Sequence, residues 1–384
     1  MEPVVLRVEV SPGMLAWARA RSRIESDALS RRFPRLGAWE AGRGQPTLKQ
    51  LEQFAAATRT PIGYLFLTEP PPEPVPIPDF RTVADTPVGK PSPDLLDVIF
   101  QCQQRQEWFS HHARVNRFDP VAFVGSATLE DPPETVAGSM RQTLDFAVED
   151  RGATWTEAFR RLSDAAEDAG VLVMASGIVG SNTHRRLDPA EFRGFALVDL
   201  LAPLVFVNTA DTRAAQVFTL AHELAHLWLG ETGLDDASPD PPAHRRVERW
   251  CSRAAAEFLV PMEQLRLVGR AGESRAEELD RLARMFKVST LVILRRLYEA
   301  GRLTREEYRL TFNEESARIS GLSAQPGAGG NFYHTQPVRV SKRFARSVIS
   351  STLEGQTLFT EAFRMLGFRK QSTFDELARR LGVL

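Results

Sequence analysis

The stretch FTLAHELAHLWLG, Phe218 to Gly230, constrains this chain more than any other. Its apolar residues favour burial, yet it carries His222, Glu223 and His226, polar groups that are costly to bury without partners. On an α-helix, positions i and i+4 lie on one face, so His222 and His226 can aim both imidazoles at a single point. Glu223 is turned by about 100° from His222, which suits it to reach a water held by a metal ion rather than the ion itself. A zinc ion would satisfy both rings, but it needs a third protein ligand, and a fourth position left open if the site is catalytic. The alternative is a buried helix whose two histidines bond elsewhere. A match to H-E-x-x-H arises by chance roughly once per hundred chains of this length, so the decision rests on the third ligand.

The sequence offers one in VERWCSRAAAEFLVP, residues 247–261, which reads as a second helix. Glu248 lies near its start, and the alanines at 254–256 would allow close packing against the first helix. Glu257 is nine residues further on, a rotation of about 180°, so it faces away if Glu248 faces the metal. It then reads as a solvated surface glutamate or a partner to a ligand. His244, after the loop-like DASPDPPAH, is the competing ligand. Cys251 reads as small core filler.

The rest of the chain places this pair of helices. Its 384 residues exceed one typical core, so two or three domains are expected. A formal net charge of −1 gives no chain-wide case for nucleic-acid binding. Two cysteines fit a reducing compartment. With no signal-peptide pattern and no apolar run long enough to span a bilayer, the expectation is a cytoplasmic protein without membrane contact. Residues 12–67 read as short helices, and EPPPEPVPIPDFRT, 69–82, as an extended linker or strap. Long amphipathic helices follow from Pro93. Three strand-like runs, 171–176, 194–200 and 204–208, then precede the histidine helix, which should begin near Asp211. Helix, small sheet and histidine helix make an α+β domain over roughly 140–275. LDRLARMFKVSTLVILRRLYEAG, 279–301, reads as helix, short turn, helix with Ser289 as cap. GLSAQPGAGGN, 321–331, is a glycine-rich loop, and the last 50 or so residues read as a short strand and helices.

FTLAHELAHLWLG followed by ERWCSRAAAEFLVP resembles the ImmA/IrrE family of bacterial metallopeptidases. PDFRT and GGNFYHTQPVRVSKRFARSVISSTLEG resemble the longer members, which carry an N-terminal Xre-type helix-turn-helix. The resemblance implies His222, His226 and Glu248 as Zn2+ ligands and Glu223 as general base. Ser252 stands where the family usually has Asn, and Ala254 where it usually has Phe. Neither change removes a ligand; both alter what packs around one. Zinc hydrolysis also needs a donor for the oxyanion. Tyr333 and His334 are candidates because a glycine-rich loop could fold over the site, with an exposed polar pair as the alternative.

LSRRFPRLGAWEAGRGQPTLKQLEQFA resembles the Xre pattern, but only ten steps separate Leu29 from Trp39, and Phe33-Pro34 interrupts the reading helix. Arg31, Arg32, Arg35 and Arg43 could contact DNA phosphates without reading bases. The segment 279–301, with Arg295 and Arg296, is a second helix-turn-helix candidate; its alternative is a helical pair packed on the peptidase domain. The expected fold is thus mostly α, with an α+β zincin-like metallopeptidase domain flanked by helical helix-turn-helix-like modules. Its boundaries are 1–68, a proline-rich linker 69–93, 94–275, 276–320 and 321–384. The expected function is a zinc-dependent endopeptidase that cuts a repressor-like protein in stress, mobile-element or phage response. The alternative is an antitoxin-like or DNA-binding regulator that sequesters a toxin partner.

Overall fold

The computed structural model describes residues 7–77, 82–83, 86–87, 91–234, 242–269, 272–322 and 338–384. It is mostly helical with one small mixed sheet, as expected. Met1–Pro76 with Gly89–Ile99 form one compact unit, and Ile77–Val88 with Phe100–Leu384 form another.

In the first unit, α1 (Pro12–Ser22) begins at a proline, whose fixed φ suits the first turn. It is followed by α2 (Ser26–Arg32), α3 (Leu36–Glu40) and α4 (Leu48–Thr58). The helix break at Phe33-Pro34 has the effect expected from sequence: α3 is only five residues long. Phe33 turns inward instead and meets Phe54 edge-on at 5.5 Å. Thr47 and Gln50 form a reciprocal capping box at the start of α4. Met14, Leu15, Leu29, Trp39, Leu51 and Phe54 make the core. The proline strap runs without helix through residues 69–76, and its Glu73 takes two contacts of 2.6 Å from the Arg21 guanidinium.

The helix α5 (Pro93–Val115) leads into the second unit, where α6 (Pro133–Thr143) and α7 (Trp155–Asp168) follow. A minimal hairpin of β1 (Thr82–Val83) and β2 (Thr86–Pro87) belongs to the same unit. The main sheet contains β3 (Leu172–Ser176), β4 (Gly194–Leu197), β5 (Leu204–Asn208) and β6 (Gly233–Leu234), in the order β3-β5-β4-β6. β3 and β5 run parallel; β4 is antiparallel to both β5 and β6. Every residue of β3, β4 and β5 is buried, which explains why these strands read as continuous apolar runs rather than alternating ones.

The histidine helix α8 (Arg213–Leu229) packs on β4 and β5 and is flanked by α7 and by α9 (Pro242–Leu259). Next come α10 (Met262–Leu267), α11 (Arg275–Phe286), α12 (Thr290–Glu299) and α13 (Arg305–Leu322). The chain closes with α14 (Lys342–Leu353), α15 (Phe359–Leu366) and α16 (Gln371–Arg380). The short strand expected in this last part is absent among the described residues, because Phe344, Val348 and Ile349 are buried by helical packing. The pair α11–α12 does have helix, turn and helix with the Ser289 hydroxyl capping α12. However, Ile293, Leu294, Arg296 and Leu297 are buried in the core of this unit, so α12 presents no free face at those positions.

Candidate metal centre

α8 is built to hold its histidines still. Thr212 caps its start by accepting from the Ala215 amide, and Gly230, with φ of 71°, ends it in the left-handed conformation. One face drops Val217, Leu220, Leu224 and Leu227 into the core, which fixes the helix's rotation about its axis. Against it lies α9, in which Cys251, Ala254 and Ala255 are fully buried. The two helices pack against each other, as expected. Cys251 is a fully buried thiol within the core of this unit.

The approach brings three donors together. His222 Nε2 is 3.1 Å from Glu248 Oε2, His226 Nε2 is 3.2 Å from Glu248 Oε1, and the two Nε2 atoms are 3.2 Å apart. All three side chains are buried. Among the described residues this is the cluster of histidine and carboxylate groups that could hold a metal ion. Its spacing suits one: a tetrahedral ion with bonds of about 2.0–2.1 Å needs donor–donor edges of roughly 3.3 Å. The donor set, two imidazole nitrogens and one carboxylate oxygen, is also that of a zinc-type site. Burial by itself would raise the Glu248 carboxyl, but the charge of His226 and hydrogen bonds with both imidazoles outweigh it. They hold the carboxyl well below the usual carboxylate range.

Glu223 is fully buried, with its carboxylate against Gly194 of β4. A Cβ on Gly194 would stand 2.8 Å from Glu223 Oε1, 2.6 Å from Thr219 Cγ2 and 2.8 Å from the Phe206 carbonyl oxygen. The glycine on β4 therefore makes the space that the carboxylate occupies. Sequence reading missed Gly194, because nothing in the local pattern links a strand glycine to a helix 29 residues downstream. Ser252, noted in sequence only as a departure from a family pattern, lies one turn after Glu248. Its Oγ is 3.5 Å from His222 Nδ1, where it can accept the ring's second N–H and orient it.

The remaining expected residues fall elsewhere. Glu257 faces away from the cluster, as its rotation predicts, but it is neither solvated nor beside a ligand. It is buried, accepts from the Met262 amide, and forms an ion pair with Arg296 of α12. Arg296 also donates to the Val260 carbonyl, so this arginine of the second helix-turn-helix candidate is a buried structural group. Arg295 pairs with Glu299 on the surface. For His244, the competing ligand, only the backbone within α9 is described, and Tyr333 and His334 lie outside the described residues. Arg31, Arg32, Arg35 and Arg43 are all exposed.

Residues 166–298 match the family model of the IrrE N-terminal-like domain. This segment runs from the end of α7 through the sheet and the histidine helix to α12, and the match supports a metallopeptidase-like function within the ImmA/IrrE family. It also takes in α11 and α12, in keeping with the burial of Leu279, Leu282, Ile293 and Leu297 in the same core. Residues 340–380, the three C-terminal helices, match a second model, described as a domain of unknown function (DUF8813). No curated protein is significantly similar to the chain. No helix among the described residues is long and apolar enough to cross a membrane.

Proposed function

We propose that residues 166–298 act as a zinc-dependent endopeptidase, with His222, His226 and Glu248 as ligands and Glu223 as general base. The observation that carries the reading is the buried triangle of donors with edges of 3.1–3.2 Å, beside a carboxylate on the next face of the same helix. Zinc held there supplies Lewis acidity toward a peptide carbonyl and a hydrolytic nucleophile at neutral pH. Glu223 receives the proton released when water attacks, and returns it to the leaving amine. Ser252 keeps the His222 ring turned so that Nε2, not Nδ1, faces the centre. Gly194 and the apolar floor of β4 and β5 keep the carboxylate in place and water out. The substrate we propose is a repressor-like protein.

The first unit is proposed as an accessory contact to DNA or to a partner protein. Arg31, Arg32, Arg35 and Arg43 are exposed for phosphate contacts, while a five-residue α3 is too short to read many bases. The test is incubation of the zinc-loaded protein with a proteome-derived peptide library, with new N-termini read by mass spectrometry. The native chain should produce a defined set of termini that Glu223→Gln abolishes while retaining its metal. Identical termini from both proteins would remove the enzyme reading and favour a binding role, such as sequestering a toxin.

A further inference from the structure

Positive charge is concentrated at the C-terminal end. Residues 338–384 carry nine Lys or Arg against four Asp or Glu, whereas the 337 residues before them carry 39 against 45. From Lys342 on, the segment folds as three helices. α14 packs against both α15 and α16, and Phe374 of α16 meets Phe359 and Phe363 of α15 at 5.3 and 6.0 Å. Between α15 and α16 lie only four residues, Gly367 to Lys370. Gly367 has φ of 75°, the left-handed conformation that lets the chain reverse tightly after a helix. Two short helices joined by a four-residue turn with glycine at its start have the layout of a helix-turn-helix, in which the second helix presents its first turn to the major groove.

Exposure follows the same plan. On α16, Phe374, Leu377 and Ala378 face inward, while Gln371 and Ser372 at its first turn and Arg369 and Lys370 just before it are exposed. On α12, by contrast, Thr290 at the first turn is buried and Arg296 is consumed by Glu257. A second basic element lies beside the turn. The Ser181 hydroxyl donates to the Gly367 carbonyl at 2.7 Å, which ties the turn to the loop after β3, a loop on which His184 and Arg186 are exposed. Glu376, the acidic group on α16 nearest its C-terminal arginines, already pairs with Arg379 and Arg380. Such exposed pairs contribute little and exchange readily for phosphates.

The segment is also anchored to the metallopeptidase-like domain. Glu167 of α7 accepts from the Lys342 and Arg343 amides at the start of α14, and Arg105 donates to the Met365 carbonyl. α14 packs on β3 of the main sheet.

We propose that residues 338–384 are a helix-turn-helix that binds duplex DNA, with Arg369, Lys370 and Arg186 on phosphates and Gln371 and Ser372 at the base edges. This site is separate from the exposed arginines of the first unit and does not depend on the metal. Binding of the full chain to a fluorescein-labelled mixed-sequence duplex, read by anisotropy between about 50 and 200 mM salt, tests it. Affinity should fall with salt, and Arg369→Gln with Lys370→Gln should weaken it about tenfold or more. The double variant should reduce the log–log salt slope by about 1.8, or 0.9 for each lost phosphate contact. Exchanging the two residues for each other's type, Arg369→Lys with Lys370→Arg, should restore binding at an unchanged melting temperature. The same losses should appear in an Arg31→Ala, Arg35→Ala background and with a chelator present. Unchanged affinity and slope in the double variant, or tighter binding to duplex RNA of the same sequence, would overturn the proposal.

Discussion

Gly194→Ala is the substitution whose consequence can be worked most fully from the structure. The added methyl would stand 2.6 Å from Thr219 Cγ2 and 2.8 Å from both Glu223 Oε1 and the Phe206 carbonyl oxygen. Comfortable contacts of carbon lie near 3.5–4.0 Å, so roughly 0.7–1 Å must be found. The Phe206 carbonyl belongs to β5, which is paired with β4 on one edge and β3 on the other, so it cannot retreat without breaking the ladder. The helix side must give instead, at Thr219 and Glu223. Overpacking of this kind costs about 1–3 kcal/mol, and displacing a reacting group by about 1 Å costs on the order of 10²-fold in rate. The variant should therefore melt several degrees lower, keep its metal, and cleave its best library peptide about a hundredfold more slowly through kcat rather than KM. Calorimetry, metal analysis and steady-state kinetics measure the three quantities. A variant with native stability and native kcat would refute the claim that this glycine positions Glu223.

Further outcomes follow from the same contacts. Glu257→Ala strands the buried Arg296 charge and should cost about 3–5 kcal/mol by denaturant unfolding, whereas replacing both residues with Met should recover most of it. Burial pushes Glu167 up to about 7, against hydrogen bonds from Ser341 and the Lys342 and Arg343 amides. Between about pH 4.5 and 7 the folded protein holds this proton and the unfolded chain does not, so stability should fall as pH rises through that window. The contribution is about 3 kcal/mol at most, and it should be missing from Glu167→Gln; parallel pH profiles for the two proteins would contradict it. Ser252→Ala should weaken metal affinity by about tenfold in competition with a chromogenic chelator, and Ser252→Thr should weaken it less.

Much of the centre was legible because its signals are local. A capping threonine, helical spacing of apolar residues and a terminal glycine define α8, and i, i+4 spacing places both imidazoles on one face. Rotation along α9 separated Glu248 from Glu257 correctly. What Glu257 touches was not legible, since Arg296 arrives from 39 residues away in a segment that reads equally well as a DNA reader. Gly194 was invisible for the same reason: its importance lies in a side chain from another element. At the C-terminus, Val338, Val340, Val348 and Ile349 favour extended structure locally, but tertiary packing overrides that weak preference. The helix-turn-helix layout there emerges only when the four-residue turn and the buried face of α16 are seen together.

The central claim is that His222, His226 and Glu248 form one metal centre in a metallopeptidase-like domain. Metal content of the purified chain by plasma mass spectrometry, set against His222→Ala, His226→Ala and Glu248→Ala, tests it most directly. Close to one zinc per native chain is expected, with a loss of stoichiometric zinc in each variant. Native protein without zinc after incubation with it, or full occupancy in any of the three variants, would contradict it.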